Sequence, residues 1–170
     1  LSVLGESIDI SSDVESFYVD VHETTVNEFR EFVTGQKSLG YEGAIKKWPG
    51  MWPNETEFNA CPGRSARAFD KPSRVHFPVE HVSYHEARAF LISQGKRLPT
   101  LAEWWLVARG HDGGEKPTNQ TPKRYVRRVD DGGESWRDRI RHLGGNVAEW
   151  CAAEPGAKES YLSGGSYRDS

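Results

Sequence analysis

Gly95-Lys96-Arg97-Leu98-Pro99-Thr100-Leu101-Ala102-Glu103-Trp104 is the stretch on which the fold turns. Its Thr100 hydroxyl can accept from the Glu103 amide while the Glu103 side chain reaches back, a capping box that marks a helix start. Trp104, Trp105, Leu106 and Val107 follow as the helix body, and Gly110 is placed to stop it. Working outward, Ser83-Tyr84-His85-Glu86 repeats the device and opens a helix through Ala87, Phe90 and Leu91, with Gly95 as the stop. Thr25-Val26-Asn27-Glu28 is a third box, after which Val26, Phe29 and Val33, with Phe32 beside them, share a helical face. The β-prone run Phe17-Tyr18-Val19-Asp20-Val21 leads into it.

Three short helices leave much of the chain unassigned. Residues Gly35 to Pro78 hold Trp48, Trp52, Phe58, Phe69 and several prolines, and read as an ordered loop pinned by rings. Gly110 to Arg141 is charged and glycine-rich, and reads as a surface excursion. Six tryptophans beside 17 glycines suit a loop-dominated fold in which large rings fill the core. A length of 170 residues fits one domain with a real core.

Composition narrows the function classes. Charged residues make up 28% and mean hydropathy is -0.71, and no apolar run approaches the length of a membrane span. Leu1 to Ile10 contains no basic n-region, so no signal peptide is expected there. Net charge is -3, from 22 basic and 25 acidic residues. The densest basic stretch, Lys123–Arg128, faces Asp130, Asp131 and Glu134, so no nucleic-acid footprint is expected. Two cysteines, Cys61 and Cys151, permit either one disulfide or two buried thiols. His76, His81 and His85 do not share a helical face, because Ser83 caps a helix between the last two, and they read as ordinary loop histidines.

Four segments, taken together, resemble the formylglycine-generating-enzyme (sulfatase-modifying-factor) family. Phe17 to Phe29 is similar to that family's strand and E-V-T-N-x-x-F helix start. Pro78-Val79-Glu80-His81-Val82-Ser83-Tyr84-His85-Glu86-Ala87, running on into Gly95 to Trp104, is similar to P-V-x-x-V-S-W-x-x-A and G-K-R-L-P-T-E-A-E-W. Leu143-Gly144-Gly145-Asn146-Val147-Ala148-Glu149-Trp150 resembles M-x-G-N-V-W-E-W, and Leu162 to Asp169 resembles L-R-G-G-S-W-R-D. The resemblance implies an α+β, C-type-lectin-like (FGE-sulfatase) fold over residues 1–170, with short antiparallel strands, two to three short helices and extensive irregular loops. It also implies that Gly164-Gly165 bends the backbone so that tryptophans pack closely.

The same resemblance sets expectations about chemistry. Active members use a cysteine pair with copper to oxidise a substrate cysteine, and those cysteines lie downstream of the G-G-S-W segment. Cys61 and Cys151 match neither position and read as structural thiols. A closing segment normally completes the family's sheet near the N-terminal strand. A further chain or segment is therefore expected to cover an open edge here. Some relatives bind calcium at the loop matching His142 to Glu149. Carried over, its ligands are the Gly145 and Val147 carbonyls and the Glu149 carboxylate, with His142 a poor ligand at the leading position.

The leading functional expectation is a non-catalytic domain that binds a protein or small-molecule ligand. Its candidate surface is Trp48, Trp52, Trp136, Tyr161, Tyr167 and Arg168, because tyrosine, tryptophan and arginine dominate recognition surfaces. The alternatives are a formylglycine-generating or related cysteine oxidase, and a structural subunit completed by a partner chain.

Overall fold

In a computed structural model, the described residues are 17–109, 125–131, 142–143, 145–152 and 160–166, with the backbone of 2–3 and 6–7. All three capping boxes open helices. Helix α1 (Val26–Lys47) starts at Thr25, whose hydroxyl accepts from the Glu28 amide while Glu28 accepts from the Thr25 amide at 2.8 Å. Ahead of α4 (Tyr84–Ser93), Ser83 and Glu86 repeat the exchange. Thr100 and Glu103 do the same for α5 (Leu101–Arg109). Each exchange satisfies amides that the first helical turn leaves unpaired, worth about 1 kcal/mol per cap.

The segment read as a loop pinned by rings is helical instead. Helix α1 passes Gly35 and breaks only at Gly40, which takes φ 68°, before resuming to Lys47. A left-handed angle costs glycine little, so one helix becomes two at an angle. Asn54 then caps α2 (Glu55–Ala60) by accepting from the Glu57 amide at 2.9 Å, and α3 (Ala66–Phe69) follows. The expectation of two to three short helices is thus corrected: five α-helices, the first of them kinked at Gly40, and two 3-10 turns lie among the described residues. Their extra turns carry Tyr41, Ala44, Trp48 and Phe58 toward one core.

That core is aromatic and sits between α1, α2 and α4. Phe29, 1% exposed, packs its ring 5.5 Å from Phe32 and 5.9 Å from Phe90. Trp52 stacks on Phe32 and meets Phe58 edge-on, and its indole N–H donates to the buried Gln36 at 3.3 Å. Such tilted and edge-on pairs add to the burial of each ring.

The strands are short and antiparallel. A two-residue ladder pairs β1 (Ser2–Val3) with β2 (Glu6–Ser7). Strand β3 (Glu149–Cys151) pairs with β4 (Tyr161–Ser163), setting Glu149 opposite Ser163 and Cys151 opposite Tyr161. The run Phe17 to Val21 is non-helical and forms no ladder among the described residues, which corrects its reading as a strand. The sheet is tied to α5 through the signature stretch: the Ala152 amide donates to the Pro99 carbonyl at 2.7 Å. Gly164 sits against α5 at φ 90°, where a Cβ would lie 2.9 Å from the Leu143 carbonyl and 3.3 Å from Trp104. The close approach of backbone to indole expected of Gly164 is therefore present. Chemistry is mixed helix and short antiparallel strand, as an α+β fold requires.

Candidate functional site

Between the non-helical 17–24 segment, the turn from α4 into α5, and the β3–β4 pair lies an open cavity of about 940 Å³. Its walls are largely apolar, with Phe90, Leu98, Trp104, Val147 and Leu162 among them, and its acidic side chains are Asp20, Glu23, Glu80, Glu103 and Glu149. Glu23 is placed by the turn that precedes the Thr25 cap, and Glu149 by the first residue of β3.

Asn146 links these elements. It is fully buried at φ 61°, a conformation that asparagine tolerates better than most residues. Its Nδ2 donates to Glu23 Oε1 at 3.0 Å and its Oδ1 accepts from the Arg127 amide at 2.7 Å. Glu23 Oε2 is buried with no hydrogen-bond partner. Glu149 accepts from the Trp104 indole N–H at 2.5 Å. Burial pushes the Glu23 carboxyl up to about 8, helped by the charge of Glu149 and opposed by the Asn146 bond. Burial also pushes Glu149 up to about 7 against the pull of the Trp104 bond. Desolvation thus outweighs hydrogen bonding at both, and Glu23 holds a proton at neutral pH.

Neither metal implied by the resemblance finds a full set of side-chain donors among the described residues. For calcium, the loop offers a single carboxylate, already bonded to an indole, while a hard cation takes six to eight oxygens. His142, at the leading position, turns its Nε2 to the Arg128 carbonyl at 3.2 Å, and the Asn146 amide is taken up by Glu23 and Arg127. Among the described residues, no group of three histidine, cysteine or carboxylate side chains could hold an ion. For copper, the thiols would have to ionise. Burial, reinforced by Glu86, pushes Cys61 up to about 12, and burial pushes Cys151 up to about 11. Both are free, buried thiols, one at the end of α2 and the other on β3.

Of the residues expected to form a recognition surface, the described ones, Trp48, Trp52 and Tyr161, do not line the cavity. Trp52, 4% exposed, belongs to the aromatic core, which corrects its assignment to a surface: Phe32 and Phe58 enclose its ring. Trp48 packs half-buried against the same core with Lys47 Nζ 4.4 Å from its ring centroid. Tyr161 lies half-buried on β4, opposite Cys151. Trp136, Tyr167 and Arg168 lie outside the described residues. Of the calcium candidates, Val147 and Glu149 line the cavity, while Gly145 is buried and donates its amide to the Gly164 carbonyl at 2.9 Å. Sequence reading missed Glu23, Asn146 and Trp104 as a unit. The one local signal was Asn146 after two glycines, a pattern suited to left-handed backbone.

Comparison with known proteins agrees with the motifs. Residues 9–142 match the family model of the sulfatase-modifying factor enzyme 1-like domain. An inactive C-alpha-formylglycine-generating enzyme 2 of Bos taurus is 32% identical over 123 residues, covering 57% of this chain and 39% of the relative. The formylglycine-generating enzyme of Mycobacterium tuberculosis is 29% identical over 129 residues, covering 57% and 42%. That of Thermomonospora curvata is 34% identical over 116 residues, covering 55% and 37%. The chain spans about two fifths of the length of these curated relatives. With a family model matched over most of its length, and the Gly95 to Trp104 signature folded as described, this chain belongs to the sulfatase-modifying factor enzyme 1-like (FGE-sulfatase) family.

Proposed function

We propose that this chain is a non-catalytic binding domain of C-type-lectin-like architecture, whose binding site is the cavity between the 17–24 segment and the β3–β4 pair. The observation that carries this reading is the cavity itself, open and largely apolar, in a chain whose two thiols are both buried and protonated. Large apolar concavities with a few convergent polar groups are where ligands bind. Exposed apolar side chains gather at its rim, with Tyr18, Val19 and Leu162 all exposed.

The second reading is a cysteine oxidase, favoured by relatives named formylglycine-generating enzyme that align over a similar share of the chain. One pair of measurements separates the two. The 170-residue protein, supplied with Cu(I), oxygen and a cysteine-bearing peptide, is expected to leave the cysteine unconverted by mass spectrometry. Labelled pools of acetylated pentapeptide amides, randomised over Val, Ile, Phe, Tyr and Thr, are expected to bind, and Leu162→Asp to weaken them about tenfold, or 1.4 kcal/mol. Copper-dependent conversion to formylglycine overturns the binding reading in favour of the oxidase.

A further inference from the structure

We infer that the basic stretch 62–77 docks an acidic segment of another polypeptide, whose Asp and Glu carboxylates meet Arg64, Arg67, Lys71 and Arg74. This surface is separate from the cavity, which no residue of 62–77 lines.

Charge comes first. Residues 62–77 hold four cations and one acid, Asp70, for a net charge of +3. The whole chain carries -3, so the remaining residues together carry -6, and this stretch stands against the sign of the molecule. Arg64, Arg67 and Lys71 are exposed, while Arg74 is half-buried with its guanidinium carbon 4.8 Å from the Phe77 ring centroid. Among the described residues, none of the four side chains is in an ion pair or a hydrogen bond. Arg30, Arg88, Arg97 and Arg128, by contrast, each donate to an acceptor within the chain. The first acids of α1 are occupied as well: Glu28 closes the Thr25 cap, and Glu31 accepts from Asn27 Nδ2 at 2.8 Å.

The backbone beneath these charges is held in place. Arg64 lies in a 3-10 turn (Gly63–Ser65), Arg67 in α3, and Arg74 in a second 3-10 turn (Pro72–Arg74). Phe69 anchors α3, its ring 6.3 Å from that of Phe29 and its carbonyl accepting from Arg30. The stretch ends against the start of α1. There the Val26 amide donates to the Phe77 carbonyl at 2.9 Å and the Asn27 amide to the Val75 carbonyl at 3.3 Å. Cations on a held backbone lose less entropy when a partner arrives.

What surrounds the charges selects the partner. None of the exposed large hydrophobic side chains among the described residues belongs to this stretch. Single-stranded nucleic acid needs exposed aromatic faces to stack on, and a bilayer surface needs an apolar face to insert. A row of carboxylates needs only charge and forked donors, and three of the four cations are arginines. Arginine clusters are a recurrent means of taking acidic motifs.

The test uses the 170-residue protein and two labelled twelve-residue peptides, one alternating glutamate with serine and the other glutamine with serine. Fluorescence polarisation in about 50 mM salt is expected to show the glutamate peptide binding at least about tenfold tighter, and about 500 mM salt to erase the difference. Arg64→Gln with Arg67→Gln is expected to weaken the glutamate peptide about fivefold at an unchanged thermal midpoint. Lys46→Gln with Lys47→Gln makes the same change of charge in the last turn of α1, and is expected to weaken it less than about twofold. Equal binding of the two peptides overturns the inference. So does equal weakening by the two double variants, which would assign binding to net charge alone. A DNA duplex of about twenty base pairs, or phosphatidylserine vesicles, held more tightly than the glutamate peptide and released by Arg64→Gln with Arg67→Gln would assign the stretch to another polyanion and overturn it too.

Discussion

Phe29→Ala is expected to lower the unfolding free energy by about 4 kcal/mol. Phe29 lies where α1 meets α4, and its ring packs against Phe32, Phe69 and Phe90 with almost no exposure. Truncation removes the transfer energy of the ring and leaves a void that three large neighbours, each held by its own contacts, cannot collapse to fill. Leu39→Ala, at an exposed position on the same helix, is expected to change stability by less than about 0.5 kcal/mol. Urea denaturation with matched slopes measures both. A Phe29→Ala midpoint equal to that of Leu39→Ala would mean the aromatic cluster is not the core.

The second large effect is a loss of stability with rising pH. Glu23 titrates near 8 when folded, against an ordinary value of 4.5. Glu149 titrates near 7. Between these values the folded chain holds protons that the unfolded chain has released, so the slope of stability against pH is negative. Their contribution is whole below about 4.5 and is lost as pH rises through 7 and 8. At about 1.4 kcal/mol per pKa unit, Glu23 alone is expected to cost on the order of 5 kcal/mol by pH 9. Glu103 runs the opposite way: Arg97 holds it below the usual carboxylate range, and its contribution is lost in acid. Chemical denaturation from pH 5 to 9 should show the decline, and Glu23→Gln should flatten it and exceed wild-type stability at pH 9. A wild-type profile that is flat, or that rises, across this range would show that the two carboxyls are not desolvated.

What the sequence disclosed and what it withheld divide along one physical line. The three helix starts were legible because a capping box is a local exchange between residues three apart. Gly164 was legible from the family resemblance of Leu162 to Asp169, although the indole it meets, Trp104, comes from α5. The second half of α1 was not: Gly35 resembles a stop, yet the helix runs through it because Gln36, Ala44 and their neighbours are buried beyond it. Asn54 caps α2 through a side-chain amide rather than the hydroxyl of the other three starts, so that helix and its Phe58 were read as loop. Trp52 could have faced water or core by its identity alone. Only the arrival of Phe32 and Phe58 from other helices decides it. The cavity was least legible, because Glu23 meets Asn146 across 123 positions, and no local pattern announces such a meeting.

The Asn146 junction has a further consequence for how the molecule breathes. It joins the 17–24 segment, residues 125–131 and the approach to β3 through a handful of polar contacts. The helices behind it are welded by ring-on-ring packing. Free energies of opening follow buried apolar contact, so the two regions have separate thresholds. Opening of the cavity wall is therefore expected to cost less than opening of the helical half, so amide exchange at Arg127 should outpace exchange in the first half of α1 without global unfolding.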